Sequence, residues 1–109
     1  MRSTILQFKK RLTTNKFDWM HDGSTKNGEL ILREDGTMTG CGGEGTWEIG
    51  NERYSIKTTF NGITHRIKFN SEVTEGLLIE PNRNPQTKVV KSAEAIEVDA
   101  GSSLVANSN

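Results

Sequence analysis

The alternation of apolar and polar residues is most regular between Tyr54 and Phe69. Two alternating runs are separated there by Asn61-Gly62, a pair that favours a type I′ turn because both central residues need positive φ. A two-residue loop also fixes the register of the hairpin. The predicted cross-strand pairs are Phe60 with Ile63, Thr58 with His65, Ile56 with Ile67 and Tyr54 with Phe69. One face of this hairpin is then apolar, and the other carries the charged residues.

Shorter alternating runs predict further strands on both sides of this hairpin. They cover residues 17–22, 28–33, 46–49 and 73–80, and residues 87–91 add a last edge strand. A three-residue loop with Gly36 in the left-handed region places Leu32 opposite Met38, so that the apolar faces agree. The glycine-rich segment 40–45 predicts a mobile loop.

These elements predict an all-β fold, an antiparallel up-and-down meander of six to eight short strands. The meander either closes into a small barrel, complete or partial, or folds into a sandwich. Ile5, Phe8 and Leu12 share one helical face, which favours a short helix over 3–13 rather than an irregular basic arm. The predicted core comprises Phe17, Trp19, Leu30, Leu32, Met38, Trp47, Ile49, Tyr54, Ile56, Phe60, Ile63, Ile67, Phe69, Leu77 and Ile79.

The charges divide the chain of 109 residues into three parts. Basic and acidic residues balance at 14 each, which argues against nucleic acid as a partner. Residues 1–16 form a basic helix or arm without an acid, residues 17–91 the meander domain, and residues 92–109 a flexible tail with acids only. A lone cysteine, Cys41, excludes an internal disulfide. Because no apolar run is long enough to span a membrane, we expect a soluble, cytoplasmic protein.

Polar residues on the inward face are the candidates for chemistry. His65 lies between Ile63 and Ile67 with Thr58 opposite, and His21 shares a face with Trp19. Such groups either form a hydrogen-bonded core, with the Thr58 hydroxyl bonded to the His65 imidazole, or line a ligand pocket. We favour the hydrogen-bonded core for this pair. If a pocket exists, its predicted ligand-binding residues are Trp19, His21, Trp47, Tyr54, Thr58 and His65.

Other motifs predict turns and solvated faces rather than chemistry. His21-Asp22-Gly23 is a turn, since adjacent strand residues point to opposite faces and cannot form a catalytic dyad. The segment 40–45 lacks the Gly-Lys-Ser/Thr ending and the helix of a phosphate loop. Lys57 and Arg66 are cross-strand neighbours, so Glu48, Glu75 or an anionic partner should relieve their repulsion. No cofactor, metal or catalytic residue is predicted.

The segments FDWMHDG, DGTM, GTWEI, RYSIKTTFNG and ITHRIKFN together resemble a lipocalin-like (calycin) β-meander over residues 14–91. In that family an early strand carries a Trp and a short helix closes one end. The segments are also similar to small GTW-containing β modules appended to sugar-transferring enzymes. The lipocalin Gly-x-Trp signature is absent, because Phe17 stands two residues before Trp19. The resemblance implies no catalytic residue.

Three functions follow as hypotheses. The favoured one is a non-catalytic binding module or accessory protein for a small apolar or carbohydrate ligand, with an interior cavity bordered by Trp19, Trp47, Tyr54 and His65. The second is a structural or assembly protein acting through oligomerisation. A homodimer formed through an edge strand would be one such assembly. The third is a small enzyme using His21 or His65 as acid or base.

Overall fold

A closed antiparallel β-barrel forms the fold of residues 4–93, which the computed structural model describes. Within this range there are one helix and eight strands: α1 (Thr4–Thr14), β1 (Lys16–Met20), β2 (Gly28–Leu32), β3 (Thr37–Gly40), β4 (Gly43–Ile49), β5 (Ser55–Phe60), β6 (Ile63–Phe69), β7 (Glu75–Glu80) and β8 (Lys88–Lys91). Each strand pairs with its neighbours in sequence, so the predicted all-β meander with a short N-terminal helix is confirmed. The predicted tail beyond Ala93 lies outside the described residues.

Pairing of β1 with β8 closes the barrel. Phe17 lies opposite Lys91 and Trp19 opposite Val89 in this pair. Closure gives the backbone groups of both strands a partner, whereas an open sheet would leave two edges unpaired. The prediction that residues 87–91 form an edge strand is therefore wrong. Edge pairing with a second copy, the route considered for a homodimer, is removed with it.

The central hairpin has the predicted register. Phe60 lies opposite Ile63, Thr58 opposite His65 and Ile56 opposite Ile67, and Asn61 and Gly62 have φ angles of 53° and 76°. The β2–β3 turn also agrees, with Leu32 opposite Met38 and Gly36 at φ 91°.

The glycine-rich segment 40–45 is regular structure, contrary to the prediction of a mobile loop. β3 and β4 run through it and are joined by a two-residue turn with Cys41 at φ 50° and Gly42 at φ 84°. A Cβ atom on Gly40 would lie 3.0 Å from the Met38 methyl and the Phe60 ring, and one on Gly45 would overlap the Thr59 carbonyl. The glycines permit close approach of β3 and β4 to β5, a reason for glycine in strands that composition alone does not reveal.

The inward face of β7 is the reverse of the predicted one. Leu78 is buried, whereas Leu77 and Ile79 are 38% and 41% exposed. The strand begins after a turn in which Val73 has φ 57° and the Asn70 side chain accepts a hydrogen bond from Thr74 N. After this turn Lys68 pairs with Leu77 and Ile67 with Leu78, and the bulge against β6 comes only beyond Leu78. Because side chains alternate along a strand, a shift by one residue exchanges the two faces.

Helix α1 covers the end of the barrel where β1 begins, which we call the helix end; the opposite end is the far end. Phe8 and Leu12 are buried against the barrel, because residues four apart lie on one side of a helix. One residue of the predicted core and one residue of the predicted helical face are exposed instead. Ile63, at the far end of β6, is 44% exposed, and Ile5 of the predicted helical face is 58% exposed.

Ion pairs across strands neutralise much of the charge on the outer face of the barrel. Lys57 and Arg66 are neighbours as predicted, and Lys57 pairs with Glu48 at 3.7 Å. Arg66 pairs with Glu52 and Glu80. The repulsion that the sequence implied is thus relieved within the barrel.

Candidate functional site

Three rings pack together inside the far end of the barrel. The imidazole of His65 stacks on Phe60, with ring centroids 4.5 Å apart, and meets the edge of Trp19 at 5.4 Å. Trp19 also contacts Phe60 edge to face at 5.5 Å. All three side chains are buried. The rings are close because Phe60 and His65 are diagonal neighbours on the inward face of one hairpin.

The predicted hydrogen bond between Thr58 and His65 is absent. The two residues are cross-strand partners, and their exposed fractions are 0% and 3%. Thr58 Oγ1 and His65 Nδ1 nevertheless lack a hydrogen-bond partner, since the imidazole lies flat against Phe60 instead of facing the hydroxyl. A buried polar atom without a partner costs about 1–3 kcal/mol. The pair is therefore a polar spot inside an otherwise apolar barrel.

Burial lowers the pKa of His65 below its ordinary value of 6.5, and the nearby positive charge of Arg83 lowers it further. Backbone groups of Thr58 and Ile63 oppose this shift but do not cancel it. The imidazole is thus neutral at pH 7. A neutral imidazole offers one donor and one acceptor, so this site can bind a small polar group only if that group enters the packed interior.

His21 is outside the barrel and not on the inward face with Trp19. β1 ends at Met20, and the His21 side chain is exposed in the following turn. Asp22 forms this turn as predicted, because its Oδ1 accepts hydrogen bonds from the backbone N–H groups of Ser24 and Thr25. These bonds hold the pKa of the Asp22 carboxyl below its usual range.

The remaining predicted site residues lie apart. Trp47 is buried and faces inward opposite Thr58, and its indole N–H donates to the Arg33 carbonyl at 2.7 Å. Tyr54 lies at the helix end, before β5 begins, with Phe8 5.6 Å from its ring. Trp19, Trp47, Thr58 and His65 thus share the interior, whereas Tyr54 and His21 lie elsewhere. Interior side chains such as Phe17, Leu30 and Ile56 are inaccessible to solvent.

A concave surface lies at the helix end, between α1 and the β4–β5 turn, and we call it the helix-end groove. Its volume is about 340 Å³. Ile5, Phe8, Ile49 and Tyr54 supply its apolar surface, and Asn51, Glu52 and Arg53 supply polar groups. Ligand sites commonly combine an apolar lining with a few convergent polar groups. Of the predicted site residues, the groove contains Tyr54.

Tyr54 is held in a conformation that few residues other than glycine adopt. Its φ angle is 60°, a value that costs free energy in a bulky residue and occurs often at functional sites. The Tyr54 carbonyl accepts a hydrogen bond from Phe69 N at 2.8 Å, and the Arg53 guanidinium lies 5.1 Å from the ring centroid. Packing against Phe8 and this hydrogen bond maintain the conformation.

Sequence reasoning missed the other residues of this groove. The sequence predicts a turn at residues 50–52, places Arg53 on the outer face of the hairpin, and makes Ile5 and Phe8 part of a helical face that packs on the sheet. The Gly50-Asn51 dipeptide three residues before Tyr54 was the signal available, but it does not indicate which surface the helix leaves open.

The rest of the described chain offers weaker candidates. No group of three or more His, Cys, Asp or Glu residues suited to a metal ion occurs between residues 4 and 93. Partial burial raises the pKa of the Cys41 thiol, so it remains protonated at pH 7 and is a poor nucleophile.

Comparisons with known proteins do not assign the chain to a family. No protein-family model matches the chain, and no curated protein and no solved structure shows significant similarity to it. Within residues 4–93, no helix is long and apolar enough to cross a membrane.

Proposed function

We propose that this barrel is a non-catalytic binding module that takes a small ligand, a carbohydrate or an apolar molecule, in the helix-end groove. The observation that carries the proposal is the mixed lining of the groove around Tyr54. A sugar has apolar C–H faces and a rim of hydroxyl groups. The Tyr54 ring suits the first, and the Asn51 amide and the charges of Glu52 and Arg53 suit the second.

The packing of the barrel interior supports an external site. A lipocalin-like protein would hold an apolar ligand inside the barrel, and that kinship remains part of the hypothesis. Here Phe17, Leu30, Met38 and Ile56 fill the space between the strands and are inaccessible to solvent. A ligand inside would have to displace them, and large cavities in a close-packed core cost several kcal/mol.

The backbone of Tyr54 also supports the proposal. A tyrosine at φ 60° costs of order 1–3 kcal/mol relative to a relaxed residue. Asn or Gly would occupy this position with less strain. The ring in the helix-end groove is a reason for a tyrosine at this position.

A titration of the ¹⁵N-labelled protein tests the proposal. The probes are a panel of neutral mono- and disaccharides and, separately, short aliphatic alcohols at millimolar concentration. We expect backbone amide shifts to change at residues 5–8 and 49–55. Tyr54→Asn should abolish these changes, because asparagine tolerates the backbone conformation but lacks the ring.

Leu77→Ala is the matched control, since Leu77 lies in another surface groove, with Lys68 and Ile79, on the outer face of β6 and β7. This variant should bind as the unaltered protein does. Chemical-shift changes confined to Trp19, Thr58 and His65 would show that the ligand binds in the barrel interior instead. An absence of saturable changes with every probe would contradict the proposal.

A second candidate function is assembly through the outer face of β7. Leu77 and Ile79 are exposed side by side on this strand, and Leu77 is flanked across the sheet by Lys68 and Lys88. Sedimentation velocity over a range of concentrations tests this candidate. A dimer that Leu77→Lys disrupts would support it, and a monomer at the highest concentration would exclude it.

An acid or base role for His21 or His65 has less support. The His65 ring is buried among other rings, and the His21 side chain is exposed in a turn outside the barrel.

A further inference from the structure

Helix α1 carries three cations that no described acidic residue of the barrel neutralises. Lys9, Lys10 and Arg11 occupy consecutive positions, and α1 contains no acidic residue. None of the three side chains forms an ion pair with a described residue, although most cations of the barrel do. The helix dipole favours positive charge near the last turn, but three adjacent cations also repel one another.

Apolar side chains lie beside these cations. Ile5 and Leu6 are 58% and 66% exposed, and Leu6, Lys9 and Lys10 border a groove of about 480 Å³ together with Thr14 and Glu34. A surface that combines exposed apolar groups with charge of one sign suits a segment with apolar groups and the opposite charge.

The chain itself supplies such a segment beyond Ala93. Its sequence from residue 94 is EAIEVD, in which Glu94, Glu97 and Asp99 are acidic and Ile96 and Val98 are apolar. No basic residue occurs from Ser92 to Asn109.

The end of the described chain lies close to the C-terminus of α1. Ser92 N donates to the Lys16 carbonyl at 2.7 Å, and Lys16 follows the last residue of α1, Thr14, by two positions. Six extended residues span about 20 Å, and a helix of eleven residues is about 16 Å long. The segment can therefore reach the whole of α1 from its own barrel.

From this complementarity and reach, we propose that residues 94–99 dock on the solvent side of α1 of the same chain. The segment lies in the groove that Leu6, Lys9 and Lys10 border, where its carboxylates pair with the two lysines and its apolar side chains cover Leu6. This proposal does not depend on ligand binding in the helix-end groove.

Carbodiimide crosslinking of the full chain tests the contact, because the reagent joins a carboxylate to a lysine amine only when the two touch. An equal mixture of ¹⁴N and ¹⁵N protein distinguishes crosslinks within a chain from crosslinks between chains. We expect peptides containing residues 94–99 joined to Lys9 or Lys10, of one isotope only, with a yield that falls at high salt. Mixed-isotope peptides would overturn the proposal in favour of a second copy as the occupant.

Hydrogen exchange of the α1 amides gives an independent measurement. Neutralising the tail with Glu94→Gln, Glu97→Gln and Asp99→Asn should accelerate exchange in α1 about three- to tenfold, if each exposed pair contributes as such pairs usually do. Glu48→Gln with Glu72→Gln, which neutralises two exposed acids of the barrel, is the control and should leave α1 unchanged. Equal exchange in the tail variant and the unaltered chain, together with an absence of crosslinks, would refute the docking.

Binding to an anionic surface is the remaining alternative occupant. If vesicles of phosphatidylserine and phosphatidylcholine protect α1 in the full chain as strongly as in the tail variant, the tail does not occupy the helix and the proposal fails. Weaker protection in the full chain would support it, because a docked tail competes with the vesicles.

Discussion

The two ends of the barrel have different clusters of aromatic rings. At the helix end the rings are phenylalanine and tyrosine and meet edge to face. The cluster at the far end includes the His65 imidazole, whose Nδ1 lacks a hydrogen-bond partner. Phe8 contacts Tyr54 and Phe69, and Phe69 contacts Phe17, at centroid distances of 5.3–6.2 Å. The far end has Trp19, Phe60 and His65 above the unpaired hydroxyl of Thr58. One end thus carries backbone strain at Tyr54 and Val73, and the other carries unpaired polar atoms.

The difference follows from what covers each end. Helix α1 adds Phe8 and Leu12 to the helix end, so the packing there can hold the bulky residues Tyr54 and Val73 at positive φ. The non-glycine residues at positive φ at the far end, Cys41 and Asn61, lie instead in two-residue hairpin turns, where this conformation is usual. No helix among the described residues covers the far end, and the strands of the barrel must fill it with their own side chains. The comparison teaches that the helix makes the strained, groove-bearing end possible.

The largest expected effect is at the helix. Phe8→Ala should lower the free energy of unfolding by about 3–5 kcal/mol, because it removes a buried ring that contacts Tyr54 and Phe69. Urea denaturation followed by tryptophan fluorescence measures the change. The neighbouring exposed residue Gln7 is the control, and Gln7→Ala should change stability by less than about 0.5 kcal/mol. Equal losses would mean that α1 does not cover the barrel as described.

Glycines at the two ends should respond differently to a methyl group. A Cβ on Gly76 would lie 2.9–3.0 Å from Ile67, Phe69 and Val89, and one on Gly40 would lie 3.0 Å from Met38 and Phe60. Gly76→Ala should cost roughly 1–3 kcal/mol, and Gly40→Ala less, because the end of Met38 is flexible whereas branched side chains are not. Thermal unfolding of the two variants gives the order, and the reverse order would show that the far end is the more tightly packed.

His65, at the far end, should make the stability of the protein depend on pH. With its pKa lowered in the native state, His65 stays neutral while the unfolded chain takes up a proton below pH 6.5, so stability falls as the pH is lowered from 7 toward 5. The loss is at most about 1.4 kcal/mol for each pH unit between the two pKa values. His65→Phe should reduce this loss in urea denaturation at several pH values.

The second histidine supplies the control for that experiment. His21 is exposed, so His21→Gln should show the same loss of stability with falling pH as the unaltered protein. If His65→Phe and the unaltered protein lose stability in parallel, the imidazole is not buried in its neutral form.

The smallest expected effect is an increase in stability rather than a loss. Thr58→Val replaces an unpaired buried hydroxyl with a methyl group of similar size, so it should stabilise the protein by about 1 kcal/mol or less. Thr59→Val is the comparison, because the exposed Thr59 hydroxyl bonds with Thr64 at 3.0 Å. A clear loss of stability in Thr58→Val would mean that its hydroxyl has a partner at the far end.

Local sequence was sufficient wherever one turn and one alternating run decided the structure. Asn61-Gly62 and Gly36 determined two hairpin registers, and the spacing of Phe8 and Leu12 determined the buried face of the helix. Thr58 and His65 lie opposite each other for the same reason, since hairpin register alone brings them together, whereas the contact of Trp19 with His65 needs the closed barrel. Strand alternation is a local property with a period of two, and it can be counted along the chain.

Tertiary structure decided the rest. Closure through β1 and β8 joins residues far apart in sequence. The inward face of β7 depends on the preceding turn with Val73 at positive φ, which alternation does not record. Segment 40–45 contains strand residues because its glycines allow neighbouring strands to approach more closely than side chains would permit. The groove at Tyr54 exists only where α1 meets the β4–β5 turn. Contacts between distant segments depend on how the whole barrel packs, and no local run of residues encodes them.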